Sequence, residues 1–153
     1  MTRKSDFNAE EWERVVQGPV LAGLRVIAAD RGGTLRESMS MGRVYAEARR
    51  EHGESDLLDE IVASPPALDQ SQLSSPQELP SKTVEGLAEA VRVLEEKATG
   101  EEVDGYRRFV LGLAERVAHA HKEGGFLGVG GKAISDEEQR ALDEIVATLG
   151  GTP

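Results

Sequence analysis

Glu115, His119 and Glu123 stand four residues apart, so a helix would bring two carboxylates and an imidazole onto one face. Such donors suit zinc or iron. The set lies on a single stretch and lacks the Glu-x-x-His pairs from which bundles build di-iron sites. A solvated polar face with a histidine near a helix C-terminus accounts for the same residues. His121 points about 200° away from His119, so the His-x-His pair does not chelate.

The glycine-rich run from Gly124 to Gly131 invites phosphate chemistry, but its letters fall short. A P-loop needs glycine where Phe126 stands and Ser or Thr where Ala133 stands. The match from Gly128 to Ala133 to a dinucleotide fingerprint follows a helix, not a strand, so the βαβ setting is missing. The better reading is a loop whose glycines permit positive φ, with Phe126, Leu127 and Val129 tucked onto the body of the protein. Left exposed, the same three side chains would form an apolar patch for docking a partner. No Gly-x-Ser-x-Gly occurs and no spacing suggests a triad, so the expectation is a protein without catalysis. Met39, Met41 and Tyr45 could line a pocket for a small apolar ligand, although methionine at helical spacing is more often core filler.

Two helix ends share a device: Ala28-Ala29-Asp30-Arg31-Gly32-Gly33 before Thr34-Leu35-Arg36-Glu37, and Ala120 to Gly125 before Ser135-Asp136-Glu137-Glu138. Each pairs a glycine stop with a capped restart. On Asp30, Gly32, Thr34 and Glu37, and on Gly124, Ser135 and Glu138, the chain resembles the tellurite-resistance TerB-like family of small helical bundles. That resemblance implies a divalent cation held by acidic turn residues, here Asp30 and Glu37. The second unit departs from the pattern, because His121 and Lys122 replace the turn aspartate and a glycine-rich insert separates turn from cap.

The 153 residues suit one domain able to bury its own core. Eighteen Lys and Arg against 28 Asp and Glu give a net charge of −10. That balance disfavours nucleic acid and anionic lipid, whose binding depends on basic side chains. Cysteine is absent, which excludes disulfides, thiolate metal sites and cysteine nucleophiles. The start of the chain has no apolar h-region, and the longest apolar run, Pro19 to Ala29, is too short to cross a bilayer. A cytoplasmic protein follows, with a protein partner or self-association and no cofactor beyond a divalent ion.

The elements that must position these residues read as helices throughout. Asn8 and Glu11 form a capping box, with Phe7 and Trp12 in the staple positions. Gly18-Pro19 is expected to break or kink the first helix, so that a second runs to about Asp30 with Val20, Leu24 and Ile27 inward. A third spans about Thr34 to Glu51, and a short fourth carries Leu57, Leu58, Ile61 and Val62. Residues 64–81, rich in Pro, Ser and Gln, read as a connector. The fifth helix, Thr83 to Ala98, repeats Val84, Leu87, Val91, Leu94 and Ala98 at helical spacing.

The longest helix, Glu101 to Glu123, carries the stripe Val103, Tyr106, Val110, Leu113, Val117 and Ala120. It would span roughly 35 Å and is the expected central element. A last helix follows Ser135, with Leu142, Ile145, Val146 and Leu149 inward. The predicted architecture is all-α, a bundle of about seven helices, in two helical halves, 7–63 and 82–150, around the 64–81 connector. A scaffold or interaction role fits it best, with a cation site at Asp30/Glu37 or Glu115/His119/Glu123 as the alternative.

Overall fold

A computed structural model describes residues 2–29, 34–50, 56–63, 78–124 and 136–150, the side chains of residues 29, 34–41 and 120–124 excepted. Among the described residues there is no strand. A 3-10 turn at Lys4–Asp6 precedes six helices: α1 (Ala9–Ala29), α2 (Thr34–Arg50), α3 (Asp56–Ala63), α4 (Leu79–Lys97), α5 (Gly100–Gly124) and α6 (Asp136–Thr148). The all-α expectation holds. The difference of one helix has a local cause.

Gly18-Pro19 does not break α1, which runs through Pro19 without interruption. Proline has no N–H for the carbonyl four residues back, and that carbonyl belongs to Val15. Here the hydroxyl of Tyr106, on α5, donates to the Val15 oxygen at 2.7 Å inside the core. Burial, and secondarily Tyr45, push the Tyr106 phenol well up from its ordinary value, so it stays a neutral donor. Gly18 supplies the space, because a methyl group there would lie inside the Tyr106 oxygen. A side chain from another helix thus replaces the hydrogen bond that proline removes. The helix continues.

With that continuity, the second half of α1 is almost wholly apolar, with Leu21, Ala22, Leu24, Val26 and Ile27 buried and Arg25 its one charged residue. So apolar a segment belongs inside. It packs against α2, α4, α5 and α6, while α5 packs against every other helix. The centre expected of α5 alone is shared by the two. In α5 the stripe is as expected, with Val103, Tyr106, Val110, Leu113 and Val117 buried.

The fifth predicted helix starts four residues early, at Leu79. Pro80 sits in the first turn, where no N–H is needed, and Leu79 is buried. Its inward face consequently runs through Thr83, and Val84 is turned out to solvent. The start of α1 is as expected: the Asn8 and Glu11 side chains accept from each other's backbone N–H at 2.8 and 2.9 Å. The Phe7 and Trp12 rings lie 5.5 Å apart.

Candidate functional site

Several charged side chains hold one helix to another. Arg14 meets Glu89 at 2.7 Å between α1 and α4, and Arg25 meets Glu144 at 3.4 Å between α1 and α6. Arg116 clasps Glu47 through both nitrogens, tying α5 to α2. That clasp, led by the Arg116 hydrogen bond, holds the Glu47 carboxyl below its ordinary value. Arg107 gathers the ends of three helices, reaching Glu95, Asp104 and the Leu149 carbonyl at 3.0, 3.1 and 2.7 Å. Exposed pairs of this kind are each worth at most about 1 kcal/mol. Their value lies in fixing the angles between helices.

The beginning of the chain is fastened by Glu102, a buried carboxylate in the first turn of α5. Its oxygens accept from the Thr2 N–H at 3.0 Å, the Thr2 hydroxyl at 2.7 Å and the Thr99 N–H at 3.0 Å. Thr99 caps α5 in return, accepting from the Glu102 N–H at 3.2 Å. Burial raises the carboxyl, but the combined donors prevail and hold it at about 2. Since the folded value lies below the ordinary 4.5, this contribution to stability is complete above about 4.5 and is lost as pH falls toward about 2. Thermal melts between pH 5 and pH 2.5 are expected to show a steep fall for the wild type. Glu102→Gln should show a shallower one, after losing about 1–3 kcal/mol at neutral pH.

These elements leave a hollow with an apolar floor between α2, α3 and α5. It is a cleft of about 240 Å³, lined by Ala48, Leu58, Val62, Gly105 and Phe109, with Asp59 and Arg108 at its rim. Two of the residues that line it are small, Ala48 on α2 and Gly105 on α5. A methyl group on Gly105 would rest 3.5 Å from the Leu58 side chain, an ordinary contact. Glycine inside a helix costs about 1 kcal/mol relative to alanine, and here it keeps space open. Behind the cleft, Phe109 meets Tyr45 edge-on at 5.6 Å, and the buried Tyr45 hydroxyl has no hydrogen-bond partner among the described residues. Ala48, Leu58 and Phe109 are only partly buried, so the floor is open to solvent. Tyr45 is not among the residues that line this cleft, and the side chains of Met39 and Met41, its expected partners in a pocket, lie outside the described residues.

Of the sequence-derived metal residues, Glu115 and His119 are exposed on α5. Asp30 and the side chains of Glu37 and Glu123 lie outside the described residues, as do Phe126, Leu127 and Val129. Among the described residues no three His, Asp or Glu side chains come together in a way that could hold an ion. No described helix is long and apolar enough to cross a membrane. Sequence reasoning missed the cleft because its signal is two small residues, Ala48 and Gly105, on helices far apart in the chain. No family model, curated protein or solved structure matches this chain.

Proposed function

We propose that the protein is a non-enzymatic interaction module, loosely TerB-like, that acts in the cytoplasm and binds a protein partner or a second copy of itself through the α2/α3/α5 cleft. The observation that carries this reading is the cleft itself, where Ala48 and Gly105 stand among larger apolar side chains. Two small residues keep an apolar hollow open to solvent where larger ones would close the core. A hollow of about 240 Å³ suits one or two apolar side chains of a partner, the kind of anchor on which interfaces depend.

The test is Ala48→Trp, whose indole would occupy the cleft from a half-exposed position. Circular dichroism and the melting temperature are expected to stay close to wild type. Concentration-dependent sedimentation, or retention of the natural partner, is expected to weaken about tenfold or more. Undiminished association by a folded Ala48→Trp protein would place the binding surface elsewhere.

A further inference from the structure

At 8 residues, α3 is shorter than a helix that stands by itself in water, so its place depends on what grips it. Leu57 and Ile61 are buried, while Leu58 and Val62 supply its share of the cleft lining. At its far end the Val62 carbonyl accepts from Arg49 Nη1, on α2, at 3.1 Å. Leu58 and Asp59 have interactions of their own. Asp56 and Glu60 stand about 200° round the helix from Leu58 and Val62, on the side away from the cleft.

That side is met by residues 2–6. The Arg3 guanidinium pairs with Asp56 at 3.4 Å, and the Lys4 N–H donates to the Glu60 carboxylate. The Lys4 ammonium turns elsewhere, 6.0 Å from the centre of the Trp12 ring. Both ends of the same segment are fastened beyond α3. Thr2 is held by the buried Glu102 carboxylate on α5, and the Asp6 carbonyl accepts from Lys97 Nζ, on α4, at 2.9 Å. Lys97 is steadied in turn by Glu11 at 2.8 Å. The segment is therefore anchored at its two ends and touches α3 with its middle.

We infer that residues 2–6 are a strap whose grip on Asp56 and Glu60 keeps α3 in place, so that the α3 wall of the cleft answers to the state of the strap. This holds whether or not the cleft receives a partner. The contacts to α3 are exposed, and each is weak when it stands alone. Here the anchored ends have already ordered the segment, which raises its effective concentration at α3. Without the strap, α3 opens locally while the longer helices stay closed, as short elements with few buried side chains do. Whatever draws residues 2–6 away thus reshapes the cleft from behind.

Amide hydrogen exchange, with para-fluorophenylalanine in place of Phe109 to report on the cleft, provides the test. Arg3→Glu sets a carboxylate against Asp56 and Glu60. It is expected to speed exchange of the Ile61 and Val62 amides about fivefold and to move the fluorine signal. The Leu87 and Val91 amides on α4 are expected to change by less than about twofold. Thr2→Pro, which removes the N–H and hydroxyl held by Glu102, acts at the far end of the strap. It is expected to speed exchange in α3 more than in α4. Equal acceleration in both helices would mean that residues 2–6 add only to overall stability, and would overturn the inference. Unchanged exchange in α3, or a fluorine signal that stays put, would overturn it as well.

Discussion

Replacing Gly18 by alanine is expected to lower the unfolding free energy by about 3 kcal/mol, and adding Tyr106→Phe to the same chain is expected to return part of it. The new methyl group falls on the Tyr106 oxygen, a fully buried atom hydrogen-bonded to Val15, so the ring cannot swing away without losing that bond. Without the hydroxyl, the nearest ring atom is Cζ at 3.3 Å, which a small shift can accommodate. Tyr106→Phe alone leaves the Val15 carbonyl without a donor and is expected to cost about 1–3 kcal/mol. The two changes therefore cannot add, and a double-mutant cycle by urea denaturation measures the coupling directly. Independent, additive losses would mean that the tyrosine does not stand in for the missing proline N–H.

Leu24→Ala is expected to cost about 2–5 kcal/mol, because this side chain is 1 % exposed and sits in the largely apolar second half of α1. Helices on several sides hold the walls apart, so the void would not collapse. Val84→Ala, at the outward position on α4, is expected to change stability by no more than about 0.5 kcal/mol. Paired denaturation curves check both. A Leu24→Ala loss under about 1 kcal/mol would remove α1 from the centre of the bundle.

The contrast between those positions shows what periodicity reveals. On α5 the spacing of three and four identifies Val103, Tyr106, Val110, Leu113 and Val117, because one continuous stripe faces one core. On α4 the same rule favours Val84 over Thr83, since it ranks residues by hydrophobicity and knows nothing of where the helix begins. The Asn8 and Glu11 box is legible, being local to three residues. The Thr99 and Glu102 box is equally local but escapes notice, because Thr99-Gly100 reads as a bare joint.

Gly18-Pro19 misleads for a deeper reason. Whether proline ends a helix depends on what satisfies the orphaned carbonyl, and that donor lies 91 residues away in the chain. The cleft is invisible on the same grounds, as its lining comes from three helices far apart in the chain.

The claim that the α2/α3/α5 cleft is where this protein meets others is tested most directly by a photoreactive benzoylphenylalanine placed at Leu58, with one at Arg92 on α4 as the comparison. Irradiation of cells producing each variant is expected to give a discrete covalent adduct, partner or dimer, from position 58 and none from position 92, and Ala48→Trp is expected to abolish it. No adduct from position 58, or one that persists when the cleft is filled, would contradict the account.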